Sequence, residues 1–116
     1  MTTVAYTNYT NIDAGFFRPY EPGDRLVRGW TGTVEVARGH RITGDGSLMA
    51  AAEVLFARHN RDDRPDGQMC PSMSIGDVIL FGEVGLSVDH IGFVVVRVDP
   101  TDLITDRTWV EIRELL

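Results

Sequence analysis

The clearest pattern in this chain is a single helical one: in residues 48–59, Leu48, Ala51, Ala52, Leu55 and His59 fall on one face of a 3.6-residue period. Ala50 and Glu53 add helix propensity, Asp45 or Ser47 can accept a bond from the open N–H groups of the first turn, and Asn60 stops the helix. The remaining apolar residues come in short runs bounded by turn signals. Residues 2–9 contain Val4, Tyr6 and several Thr and predict an edge-like first strand. In residues 24–37, Leu26, Trp30, Val34 and Val36 alternate with Arg25, Thr31, Thr33 and Glu35, which is strand periodicity; Arg28 interrupts the apolar face and is placed at its rim. Four further strands are expected at residues 77–81, 86–89, 92–98 and 109–113, with a turn near residues 83–85. One helix among such runs predicts an α+β fold, the helix packed on a curved, mainly antiparallel sheet of about five or six strands. At 116 residues the chain is expected to form one domain, with 43% apolar residues enough for a core.

Two segments echo each other. Pro22-Gly23-Asp24 and Ile75-Gly76-Asp77 each place Gly-Asp just before an apolar run. An internal repeat is one reading. The simpler reading is two turns that launch strands, Gly supplying a positive φ and Asp bonding nearby backbone N–H groups. Residues 61–74, with two prolines, form a long irregular segment, and loops of that length commonly carry recognition.

The net charge of −6 is unevenly spread. Residues 1–60 hold six Arg and six acids, whereas residues 61–116 hold five Arg and eleven acids. This balance argues against non-specific binding to phosphate backbones or anionic lipid, and so against nucleic acid as a direct ligand. Every basic residue is Arg, a skew expected of GC-rich coding. The single cysteine, Cys70, excludes an intrachain disulfide, and the absence of a basic leader or of an apolar run near ~18 residues predicts a soluble, cytoplasmic protein with no membrane contact.

Catalytic patterns are thin. Cys70 with His59 or His90 and Asp89 can be drawn as a nucleophile set, but Cys70 lies in a loop without a neighbour to lower its pKa. His59, Asp62 and Asp63 are close enough in sequence to hold a metal, yet they belong to an alternating charge run typical of a solvated face. A small enzyme or metal-dependent hydrolase built on Asp77, His90 and Asp62 is one alternative function. An acidic DNA mimic presenting Asp99, Asp102, Asp106, Glu111 and Glu114 is another, although Arg97, Arg107 and Arg113 interrupt that surface. Arg28, Arg38, His40 and Arg41 make at most a small basic patch without aromatic residues for base stacking. No cofactor is expected.

The segments Leu55-Phe56-Ala57-Arg58-His59-Asn60, Arg64-Pro65, Pro71-Ser72-Met73-Ser74-Ile75-Gly76-Asp77-Val78-Ile79 and Val88-Asp89-His90-Ile91-Gly92-Phe93 resemble the YodL-like domain. The resemblance covers roughly residues 48–98; Met73 stands where that pattern has Leu, and Gly76 replaces a polar position. Domains of that family occur in proteins of phages, plasmids and conjugative elements, without an established catalytic activity. The resemblance therefore implies an accessory protein of a mobile element, and the function expected of this chain is to contact a host or defence protein. The expected contact region is the 61–74 loop with the adjoining end of the sheet, through Arg61, Arg64, Asp66, Ser72, Ser74 and Asp77. The competing reading of Ser72, Ser74 and Asp77 is structural: hydroxyls and a carboxylate that tie down a tight turn.

Overall fold

The computed structural model describes residues 2–36, 46–61, 63, 65, 72–107 and 111–112. The elements run β1 (Thr2–Asn11), β2 (Leu26–Val36), α1 (Gly46–His59), β3 (Val78–Phe81), β4 (Val84–Val88), β5 (Phe93–Val96), a 3₁₀ turn (Pro100–Asp102) and β6 (Leu103–Ile104). Among the described residues six strands form one strongly curled sheet in the order β5-β4-β3-β1-β2-β6, with α1 the one long helix. All pairings are antiparallel except β2–β6. The expected α+β architecture is the observed one.

Four expectations need correction, the last being the single apolar face of β2. The first strand lies in the middle of the sheet, not at an edge, because β1 pairs with β2 on one side and β3 on the other. Glu111 and Ile112 are helical, so the strand expected over residues 109–113 does not form there. Ser47 lies inside α1, which begins at Gly46, while Asp45 falls outside the described residues.

The even positions of β2 do not share one face. Between the pairs Thr7↔Thr31 and Tyr9↔Arg28, β2 carries one extra residue, and the Asn8 side-chain oxygen accepts the Trp30 N–H at that bulge. Because side chains alternate with period two, the extra residue reverses the faces. Val34 therefore joins Tyr6, Ile79, Phe81 and Leu86 under α1, whereas Leu26 joins Tyr9, Val78 and Tyr20 on the opposite face.

The sheet thus has a core on each side. On one side α1 buries Leu48, Ala51, Ala52 and Leu55, and each fully buried Leu is worth roughly 2 kcal/mol. His59 sits at the end of this face, its Nε2 2.7 Å from the Tyr6 hydroxyl. Asn60 follows as the predicted stop, and its side-chain oxygen accepts the Met73 N–H at 2.6 Å, closing the base of the segment between them. On the other side, among the described residues, no part of α1 belongs to the cluster. That face is covered by residues 12–25 and by Val98 and Leu103, and irregular chain in such a position needs its polar groups satisfied.

Candidate functional site

Asn11 provides much of that satisfaction. Its side-chain oxygen accepts the N–H groups of Asp13 and Ala14, both at 2.9 Å, which bends the chain out of β1. Its amide nitrogen donates to Asp24 Oδ2 and to the Gly76 carbonyl, both at 3.1 Å, and its backbone N–H donates to Asp77 Oδ1 at 2.9 Å. One residue therefore joins both Gly-Asp turns.

Those turns have the same construction. Glu21-Pro22-Gly23-Asp24 and Ser74-Ile75-Gly76-Asp77 are each closed by a bond from the Asp N–H to the first residue's carbonyl, at 3.0 Å. Their glycines stand at φ of 102° and 98°, the conformation a type II turn requires at its third position. In each, the Asp carboxylate also accepts the N–H of the first residue, at 3.0 Å from Glu21 and 2.9 Å from Ser74. The reading of the echo as two strand-launching turns with Asp bonded to backbone is the observed geometry. Both launch strands that flank β1, β2 on one side and β3 on the other.

The two carboxylates differ electrostatically. Arg18 grips Asp24 with both terminal guanidinium nitrogens, at 2.6 and 2.9 Å, and holds its carboxyl down at about 2. Asp77 is only 4% exposed, and burial pushes its carboxyl up to about 7 against the two backbone N–H bonds that favour its charged form. Tyr20 fastens the other end of the loop. Its hydroxyl donates to Asp102 Oδ2 at 2.7 Å and accepts the Asp99 N–H at 3.0 Å, while its own N–H donates to Ser87 Oγ at 2.9 Å. Burial, reinforced by Asp102, raises the Tyr20 phenol to about 12.

On this locked loop stand two exposed aromatics: Phe16 is 64% and Phe17 80% exposed. Phe16 also has a φ of 65°, a left-handed conformation costly for an aromatic residue. His90 Nε2 lies 2.9 Å from the Phe17 carbonyl, which ties the loop to the β4–β5 hairpin, where Ile91 is 94% exposed. Beside His90 a cleft of about 260 Å³ opens between hairpin and helix, lined by Glu53, Phe56, Asp89 and Phe93 among others. Phe56 meets Phe93 edge to face at 6.1 Å, which fixes the helix wall of the cleft.

Of the residues expected to make the contact surface, the described ones differ in exposure. Ser72 and Arg61 are exposed, with Arg61 Nε 3.4 Å from Asp63, and Ser74 is half-buried. The Asp77 carboxylate is spent inside the fold on backbone N–H groups, which is the structural reading of the turn. Arg64 and Asp66 lie outside the described residues, as do Asp62, Cys70, Arg38, His40, Arg41 and Glu114. Among the described residues no group of three or more His, Cys, Asp or Glu is arranged to hold a metal, and no helix is long and apolar enough to cross a membrane. His90 and Asp77 have separate partners, the Phe17 carbonyl and the backbone of Asn11 and Ser74. Of the acids read as a DNA-like surface, Asp102 is buried and accepts from Tyr20 and Gly23.

The surface formed by Phe16, Phe17 and Ile91 was not anticipated from the sequence. Its available signal was an aromatic pair between Gly15 and Arg18-Pro19, in a stretch too rich in turn residues to be a strand. No family model, curated protein or solved structure matches the chain.

Proposed function

We propose that this chain is a non-catalytic protein-binding module, docking a partner protein on Phe16, Phe17 and Ile91. The observation that carries the reading is the exposure of Phe16 and Phe17 on a loop whose buried polar groups hold it in place. Aromatic residues already fixed in an exposed position lose little entropy on binding and are enriched among the residues that dominate interface energy. The left-handed Phe16 is a local cost at a largely exposed side chain, as expected where binding rather than folding selects the residue. With the resemblance of residues 48–98 to YodL-like domains, this supports an accessory protein of a phage or other mobile element acting on a host or defence protein.

The test is affinity capture from bacterial lysate with the tagged chain and with Phe17→Asp and Ile91→Asp variants, each first shown to melt like the parent. A host protein retained by the parent and lost from both variants is the expected result. Equal retention by all three would refute this docking surface.

A further inference from the structure

Beside that surface the sheet formed by the described residues ends in β5, and the hydrogen bonding of β4 determines what that edge offers. Val88 donates its N–H to Asp77 at 2.9 Å and accepts from Gly76 at 3.0 Å, so its backbone polar groups point toward β3. Val88 and Phe93 are therefore a non-bonded pair, consistent with the neighbouring bond from Asp89 N–H to Gly92 at 2.9 Å. Alternation then places the N–H and C=O of Val94 and Val96 against β4, and those of Phe93 and Val95 outward at the sheet edge. The edge carries no Pro, no charged side chain within β5 and no bulge among its pairs, the devices that usually discourage strand addition. Val94 and Val95 are themselves exposed, Val95 by 49%.

The side chains of Phe93 and Val95 share the face of Val88 and Leu86, the one covered by α1. A strand added along β5 would thus carry alternate side chains toward the cleft where Glu53 and Asp89 stand beside Phe56 and Phe93. Two carboxylates there favour a cation, while the aromatic walls suit an aliphatic stem. A second copy of this chain fits less well, because pairing β5 with itself brings two chains of net charge −6 together, each with Glu53 and Asp89 near the junction.

We propose that β5 is a strand-addition site for an extended peptide segment of a partner, carrying Arg or Lys between β-branched residues, with the cation received by Glu53 and Asp89. Main-chain bonds to Phe93 and Val95 supply the attachment and the cleft supplies the selectivity. The inference names the chemistry of the partner segment and extends the proposed binding role, but stands on strand geometry separate from the exposed phenylalanines.

The probes are two blocked pentapeptides, Thr-Val-Arg-Val-Thr and Thr-Val-Glu-Val-Thr, titrated into the isotopically labelled chain and followed by amide resonances. The expected result is a saturable shift centred on Phe93 and Val95, with the Arg peptide bound about threefold more tightly at low salt and the preference fading at high salt. Val95→Pro removes an outward N–H and no ladder bond, so it should abolish binding while the chain still melts normally. Glu53→Gln should keep binding and reduce the preference for Arg. Phe17→Asp should leave peptide binding unchanged, so failure of this site and failure of the aromatic surface are read separately. Shifts centred elsewhere, equal binding of both peptides, undiminished binding by Val95→Pro, or shifts at β5 that follow protein concentration through self-association would each overturn the proposal.

Discussion

Replacing Asp77 by Asn tests the balance between burial and hydrogen bonding at the base of β3. In the folded chain the Asp77 carboxyl sits at about 7, above its ordinary value of 3.8, because burial outweighs the N–H bonds from Asn11 and Ser74. A carboxyl raised on folding binds more protons in the native state between those values. Its stabilisation is therefore complete below about pH 4, declines as pH rises toward about 7, and is flat above it. The gap of roughly three pH units corresponds to at most about 4 kcal/mol. An Asn amide keeps one acceptor but turns an NH₂ toward the second backbone N–H, a cost of about 1–3 kcal/mol that does not titrate. The Asp77→Asn variant should thus be less stable than the parent near pH 4 by about 1–3 kcal/mol and equal or more stable above about pH 8. Urea unfolding of both proteins across this range measures the difference directly. Asp24, held near 2 by Arg18, is common to both and largely cancels. A difference that stays constant with pH, or grows more unfavourable to the variant as pH rises, would refute the account of Asp77.

The two turns predict unequal responses to the same substitution. A Cβ at Gly76 would stand 2.7 Å from Ala14 Cβ and 3.0 Å from the Arg18 carbonyl, whereas one at Gly23 meets nothing within 4 Å. Gly76→Ala should therefore cost about 3 kcal/mol or more and Gly23→Ala about 1–2 kcal/mol, by thermal or urea unfolding. Asn11→Ala removes four side-chain hydrogen bonds at once and should cost about 3 kcal/mol by the same assay; a loss below about 1 kcal/mol would show that the loop is held mainly by Tyr20 and Arg18. Phe16→Gly, which relieves the left-handed backbone, should raise stability by up to about 1 kcal/mol while weakening capture of the partner.

The parts legible in the sequence are those set by local chemistry. Helical spacing of Leu48, Ala51, Ala52 and Leu55 needs no distant partner, and Gly23 and Gly76 reveal their turns because a positive φ is a property of one residue. What was hidden depends on residues far apart in the chain. The face reversal in β2 comes from Asn8 bonding Trp30 across the sheet, and nothing in residues 24–37 alone announces an extra residue. The central place of β1 depends on β3, which arrives after the helix. The two-residue β6 is positioned beside Tyr20 bonding Asp102, 82 residues away. The candidate surface was obscured for a related reason: Phe16 and Phe17 look like ordinary core residues until the Asn11, Asp24 and Tyr20 contacts show which side of the loop is already filled.

The Asn11 junction also imposes a timetable on biosynthesis. Its partner Asp77 lies 66 residues downstream, so a ribosome working at about 5–20 residues per second releases β1 roughly 3–13 s before the carboxylate that receives it. Throughout that interval the nascent chain can close the β1–β2 hairpin, but the flank of β1 destined for β3 stays open, with apolar residues on both faces of the ribbon. Such a ribbon is a template for intermolecular pairing and a natural substrate for chaperones. A fragment ending before residue 77 would keep that exposed template indefinitely, so premature termination of this chain yields an aggregation-prone product rather than a smaller folded one.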